Sequence, residues 1–223
     1  MKKNNKTAPE KKQIVKKIEF GATDKTFCMG RSGCGKSYLA KRIQEKYPRK
    51  IIFDTLFEYE TKNVDAVNDF NSFCEKLKKI NKEKPKEFTL IYRLDLDSDD
   101  NTIELDEALK LIYHLGDCLI VIEEVQIFAS SHNLPKWLKN IVLTGRHQKI
   151  GVLFTSQRMG EINKTILSQC SHLFIGNMVE QNDQRYISGF IGDDVTELAG
   201  LEDRDFIYFG RAGKFKIRND AKI

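Results

Sequence analysis

Eight consecutive residues carry the clearest chemistry in the chain: Gly30-Arg31-Ser32-Gly33-Cys34-Gly35-Lys36-Ser37. The pattern is G-x-x-x-x-G-K-S, the spacing of a loop that cradles phosphates. Glycines let the backbone curl until successive N–H groups face one anion. Lys36 is long enough to reach the β- and γ-phosphates, and the Ser37 hydroxyl can ligate Mg²⁺. Tyr38 follows in the first turn of a helix, whose N-terminal N–H groups and positive dipole end serve the same anion. Residues 30–38 therefore predict a site for ATP with Mg²⁺.

A second group lies 87 positions beyond Lys36, where the apolar run Cys118-Leu119-Ile120-Val121-Ile122 ends in Glu123-Glu124. Two carboxylates at that place have separable tasks. Glu123 can hold a Mg²⁺-bound water, and Glu124 can orient the water that attacks the γ-phosphate. Aspartate is usual at the first position. The extra methylene of Glu123 brings its carboxylate closer to the metal or makes it act through a different water. Gln157 stands at the tip of the following apolar run, where its amide could bind both the γ-phosphate and the attacking water. Spacing alone suits an ordinary loop glutamine equally well. Arg146 and Arg158 bracket that run. A guanidinium supplied to a neighbour's γ-phosphate is worth roughly 10³–10⁵ in rate, although an arginine taken singly is more often a surface residue.

These groups need a scaffold that brings strand ends together. Residues 25–29 read as a first core strand, 36–47 as a helix stopped by Pro48, and 50–54 as a second strand with a carboxylate at its tip. Apolar residues from Val67 to Ile80 recur at helical spacing, which predicts a helix over 65–80. Residues 88–92, 118–122, 151–155 and 172–175 read as strands, and 204–209 with 214–218 as a closing hairpin around Gly210 and Gly213. The acidic stretch from Asp95 to Asn101 lacks the glycine and glutamate of a calcium loop and reads as a solvated turn. Helices are expected over 102–115, from Pro135 onward, and around Tyr186-Ile187-Phe190-Ile191. Strands alternating with helices predict an α/β fold, with a mainly parallel sheet covered by helices on both faces.

Composition narrows the class. The 223 residues, 40% hydrophobic and 31% charged, describe a soluble globular protein large enough for one core. No apolar run approaches the roughly 20 residues of a membrane span, so no integral membrane segment is expected. Five scattered cysteines, without a C-x-x-C pair, indicate reduced thiols and a cytoplasmic setting. The formal charge of +5 is uneven: residues 1–20 hold seven lysines and two glutamates, which leaves the rest formally neutral. Residues 1–20 are thus expected to form a basic, disordered arm, and 21–223 a single ATPase domain.

The chain resembles the FtsK–HerA superfamily of ring-forming DNA-pumping ATPases, and within it the compact genome-packaging ATPases of tailless, membrane-containing viruses. Beyond the phosphate loop, three stretches carry the likeness. Phe53-Asp54-Thr55-Leu56-Phe57-Glu58-Tyr59 is similar to the D-P-H-G-E-Y turn of HerA-like proteins, without its Pro, His and Gly. Leu119 to Glu124 takes the place of the acidic Walker B strand. Thr144-Gly145-Arg146-His147-Gln148-Lys149-Ile150-Gly151-Val152-Leu153-Phe154-Thr155-Ser156-Gln157-Arg158 resembles the G-R-x-x-x-I-x-hydrophobic-x-T-Q-R segment. A weaker likeness runs through Asn182 to Ile187.

The resemblance implies a RecA-like (ASCE) P-loop NTPase fold. It implies Arg146 as an arginine finger acting in trans, Arg185 as a weaker candidate, and Gln157 as the γ-phosphate sensor. It also implies a homo-oligomeric ring of roughly five or six subunits, double-stranded DNA in the channel, and a capsid-vertex or membrane protein as docking partner. The setting it implies is the host cytoplasm or the virion. Two other readings stay open: a Zot-like phage assembly or secretion ATPase, and a small-molecule kinase. The acidic pair and Gln157 speak against a kinase, because activating water is a hydrolase's need.

Overall fold

The computed structural model describes residues 18–60, 64–97, 100–192 and 196–218. Nine strands form one sheet: β1 (Lys25–Met29), β2 (Arg49–Phe53), β3 (Asp65–Val67), β4 (Phe88–Tyr92), β5 (Cys118–Ile122), β6 (Ile150–Ser156), β7 (His172–Ile175), β8 (Asp205–Gly210) and β9 (Gly213–Arg218). Their order across the sheet is β3-β4-β2-β5-β6-β1-β7-β8-β9. Neighbours from β3 to β7 run parallel, and β7-β8-β9 are antiparallel. The mainly parallel α/β sheet and the closing hairpin are as the sequence predicts.

The central strands are apolar because both faces are covered. On one face Phe27, Phe53, Tyr92, Ile120, Ile122 and Phe154 join a core with five helices: α2 (Phe70–Glu83), α3 (Asn101–Leu115), α4 (Lys136–Thr144), α5 (Lys164–Ser168) and α6 (Gln181–Ile191). On the other face Cys28, Ile52, Val121 and Leu153 meet Leu39, Ala40 and Ile43 of α1 (Lys36–Gln44). Tyr208 of β8 and the segment carrying Ile18 complete that side. The cover is therefore lopsided. Among the described residues α1 is the one α-helix on that face, and the hairpin and the segment carrying Ile18 do the rest.

Several boundaries shift by a single residue, and larger differences from the sequence expectation fall at three places. The helix predicted over 65–80 begins only at Phe70, because Asp65–Val67 pairs with Leu90–Tyr92 as an edge strand. Asp69 then caps α2 by accepting from the Ser72 N–H at 2.9 Å, a local bond that fixes the start better than the apolar period does. α1 ends at Gln44 rather than near Pro48, since Lys46 and Tyr47 donate to the carbonyls three residues back in a tighter turn. Of the expected basic arm, residues 1–17 lie outside the described residues. Ile18 is buried, and Phe20 packs on His172 and Phe174, so the packed chain includes 18–20.

Candidate nucleotide-binding and hydrolysis site

β1 delivers Gly30 to the carboxyl end of the sheet, where α/β sheets bind ligands. There the backbone takes φ +142°, and its N–H donates to the Ser156 carbonyl at the end of β6 (3.3 Å). A Cβ on Gly30 would lie 2.9 Å from Cys34 Sγ and 3.1 Å from the Asn177 carbonyl oxygen, so only glycine fits. Cys34 fills the space beneath the loop, and burial raises its thiol pKa against the pull of Lys36. The Arg31 N–H donates to Asn177 O at 2.8 Å, and its guanidinium pairs with Asp203 at 2.7 Å. Gly35, left-handed at φ +97°, caps α1, and Ser37 follows in its first turn. The Lys36 ammonium donates to Arg31 O at 3.0 Å, inside the cradle. Tyr38 is exposed beside the cradle, with Arg42 and Arg204 near its ring.

Strand order decides which groups meet the loop. β5 is not the neighbour of β1; β6 lies between them. Glu123 and Glu124 follow β5, and Gln157 follows β6, so Gln157 stands between the acidic pair and the phosphate loop. Glu124 is buried in a left-handed conformation (φ +46°), which costs energy for a residue other than glycine and clusters at functional sites. Its N–H donates to Thr155 Oγ1 at 3.1 Å. Its Oε1 accepts from Gln157 Nε2 at 3.0 Å, and its Oε2 from the Gln157 N–H at 3.2 Å. The juxtaposition that spacing left open is thus present.

Glu123 is different. It is 2% exposed; neither carboxylate oxygen has a donor in good hydrogen-bond geometry, and the Tyr59 hydroxyl lies close enough to act on it only weakly. Burial first, then the Asp54 and Glu58 carboxylates, push its pKa up to about 8, with Lys41 opposing. A buried carboxylate without donors is costly unless a proton or cation satisfies it. That environment fits a divalent cation. Among the described residues no group of three or more His, Cys, Asp or Glu is placed to hold a metal unaided. Mg²⁺ asks for less: it is commonly held by one or two carboxylates, with substrate phosphates and water completing its shell. Glu123 and Ser37 are the residues that could supply the protein's share.

Asp54 organises the next wall. Fully buried at the tip of β2, it accepts from the N–H groups of Glu58 (2.9 Å) and Tyr59 (3.3 Å) and pairs with Arg93 (3.1 Å). Arg93 also donates to Tyr59 O at 2.8 Å. The ion pair between the fully buried Asp54 and the part-buried Arg93 ties this turn closed. Thr55 donates to Glu123 O at 3.4 Å, and Lys41 to Glu58 O at 2.8 Å, so the turn braces both the acidic pair and α1. Sequence reasoning missed Arg93 and Asn177. No motif marks them, and each acts through a partner far away in the chain. Asn177 donates to Leu201 O at 2.6 Å, holding the segment that braces the loop from below.

Arg146 lies elsewhere. It sits in a 3₁₀ turn (Gly145–Gln148) before β6, at the amino end of the sheet, close enough to Lys25 to lower that lysine's pKa, after the larger effect of burial. Gln157 follows the other end of the same seven-residue strand. The two are on the order of 20 Å apart at 3.3 Å per residue, beyond the reach of an arginine side chain. Arg158 pairs with Glu180 at 2.6 Å and Glu161 at 3.6 Å, and Arg185 is exposed on α6.

Comparison with known proteins bears on the family and the fold. Residues 24–164 match the AAA domain family (AAA_22), well over half of the chain. A probable helicase of Methanocaldococcus jannaschii is 35% identical over 98 residues, covering 41% of this chain and 19% of that protein. The DNA double-strand break repair helicase HerA of Sulfurisphaera tokodaii is 34% identical over 99 residues, covering 41% of this chain and 20% of its own. The chain thus spans about a fifth of the length of these curated relatives. In structure, the genome packaging NTPase B204 of Sulfolobus turreted icosahedral virus 2, solved with AMP, superposes with a TM-score of 0.68 at 19% identity over 92% of this chain and 100% of that one. The same NTPase with ATP-γS gives 0.68 at 18% identity, over 89% and 97%. At that level of identity the likeness is one of fold. The chain belongs to the AAA domain family.

Proposed function

We propose that this protein is an ATP-hydrolysing DNA translocase, the motor subunit of a viral genome-packaging machine that drives double-stranded DNA into a capsid. Residues 30–38 grip the triphosphate. Ser37 and Glu123 hold Mg²⁺, which when bound supplies positive charge against the β- and γ-phosphates. Glu124 orients the attacking water, and Gln157 senses the γ-phosphate. Arg146 serves the site of a neighbouring subunit, in a ring of roughly five or six copies. A basic arm ahead of the packed residues 18–20, and a single domain after it, belong to this reading. So do a capsid-vertex or membrane protein as docking partner and a working place in the host cytoplasm or virion. No helix among the described residues is long and apolar enough to cross a membrane.

The observation that carries the reading is the separation of Arg146 from its own phosphate loop. Glu124 and Gln157 are together at one end of the sheet, whereas the arginine of the G-R-x-x-x-I-x-hydrophobic-x-T-Q-R segment faces outward at the other. Such an arrangement completes a catalytic site only head-to-tail, and a head-to-tail contact that closes makes a ring. Exposed Lys136, Lys139, Lys149 and Lys164 offer phosphate contacts to DNA. The test is ATP turnover with and without duplex DNA. Stimulation by duplex supports the translocase; equal turnover in both, with phosphate passed to a small acceptor, replaces it with a kinase.

A further inference from the structure

Leu119 and Val121 of β5 face α1, and Glu123 continues that row by the alternation of a strand, within reach of the Lys41 charge. The buried face of α1 carries Lys36 at its start and Gln44 at its end. Tyr59 packs in the same layer. Its main chain is fixed on both sides, the N–H by Asp54 and the carbonyl by Arg93, and its ring centroid lies 4.7 Å from the Lys41 ammonium. Gln44 Nε2 donates to the Tyr59 hydroxyl at 3.3 Å. That bond occupies a lone pair of the hydroxyl and leaves its own hydrogen to be placed. Water has little access, since Gln44 is 6% exposed and Tyr59 8%. Beside the hydroxyl stands the Glu123 carboxylate, near enough for the two to act on each other weakly, with both its oxygens short of a well-placed donor. A buried donor and a buried acceptor, each incompletely matched, thus face one another.

We propose that Tyr59 is a positioning residue whose hydroxyl, steered by Gln44, turns the Glu123 carboxylate toward the Mg²⁺ that Ser37 shares. The inference rests on the reading of Glu123 as the Mg²⁺ carboxylate. An unanchored glutamate loses side-chain entropy when it takes a metal. A hydroxyl that accepts from α1 and donates to one carboxylate oxygen removes that freedom beforehand and leaves the other oxygen for the cation. The extra methylene of Glu123 makes such an anchor more necessary than it would be for aspartate. Gln44 and Ser37 ride on one helix, so the hydroxyl also ties the two halves of the metal site, the phosphate-loop helix and the acidic strand, in fixed register.

Tyr59→Phe removes the hydroxyl and keeps the ring. The measurement is binding of Mn²⁺, which suits the same oxygen ligands, read by electron paramagnetic resonance on protein loaded with ADP. ADP binding in EDTA is measured in parallel. Loss of a partner that orients a metal ligand is expected to raise the Mn²⁺ Kd about 10–100-fold. Metal-free ADP binding should not change, because Tyr59 stands on the turn after β2 and not in the phosphate loop. Gln44→Leu, which keeps the hydroxyl but lets it rotate, should raise the Mn²⁺ Kd by a smaller factor. A wild-type Mn²⁺ Kd in either folded variant overturns the proposal. So does a loss of metal-free ADP binding as large as the loss of Mn²⁺ binding, which marks a purely structural role. Glu123→Gln separates the two ideas. If it loses Mn²⁺ while Tyr59→Phe binds as wild type, the positioning role alone fails. If it binds Mn²⁺ as wild type does, the assignment of Glu123 fails and takes the role of Tyr59 with it.

Discussion

At the scale of single residues, the site divides ionic labour by environment. Glu123 and Glu124 are adjacent in the chain, yet one is buried with no donor in good hydrogen-bond geometry and the other is held by three hydrogen-bond donors from two glutamines. The first suits a cation and the second a water. Lys36→Ala is expected to abolish binding of ATP, because the Lys36 ammonium lies inside the loop whereas the Arg31 guanidinium is paired outward with Asp203; titration with a fluorescent ATP analogue measures it. Glu124→Gln is expected to bind ATP with an affinity close to wild type and to hydrolyse it roughly 10²–10⁴-fold more slowly, the usual share of a positioned acid or base. Single-turnover phosphate release is the measurement, and near-normal release removes Glu124 from the reaction.

At the scale of elements, β1 is tied to the antiparallel end of the sheet by a buried polar knot. Asp24, just before β1, meets His172 Nε2 on β7 at 2.9 Å, while His172 Nδ1 meets the Tyr208 hydroxyl on β8 at 2.9 Å. Arg211 and the Gly21 N–H complete the carboxylate's partners at 2.9 Å and 2.7 Å. Burial by itself would raise the Asp24 pKa, but the His172 bond, the Gly21 N–H and Arg211 together hold it below the ordinary 3.8. A carboxylate depressed in the folded state stabilises fully above its unfolded pKa, and that contribution is lost as pH falls through the folded value. Asp24→Asn is therefore expected to lower Tm on the order of 5 °C at pH 7, given about 2–4 °C per kcal/mol for a domain of this size. The gap to wild type should narrow as pH drops below 3.8. Thermal unfolding followed by circular dichroism from pH 7 to pH 3 checks the sign; a gap that widens toward acid contradicts it.

At the scale of the whole molecule, the parallel sheet puts phosphate chemistry at one end and an outward arginine at the other. The distance between them turns a statement about Arg146 into one about assembly. Arg146→Ala subunits and Glu124→Gln subunits, each expected to be nearly inactive alone, should regain ATP turnover when mixed. Some interfaces then pair an intact Glu124 with an intact Arg146. Recovery is expected to peak near equal proportions, and a flat line across all ratios rules out a finger acting in trans.

Much of this was legible in the chain. The phosphate loop, its flanking strand and helix, and the apolar strand ending in Glu123-Glu124 depend on local chemistry: glycine's freedom at positive φ, helix dipoles, and the unbroken apolar runs that a doubly covered strand requires. Strands over 88–92, 118–122 and 172–175 match the structure residue for residue, since sharp turn signals bound them. The three residues of edge strand β3 carry too little period of their own to stand apart in sequence from the helix that follows. Only the tertiary structure decided that β6 enters between β1 and β5, that Gln157 and Gln126 converge on one carboxylate, and that Arg93 clamps Asp54 across 39 positions. Local propensity is a property of neighbours in sequence. Strand order, buried ion pairs and the donors available to a carboxylate are set by which surfaces pack together, and packing is a property of the folded chain as a whole.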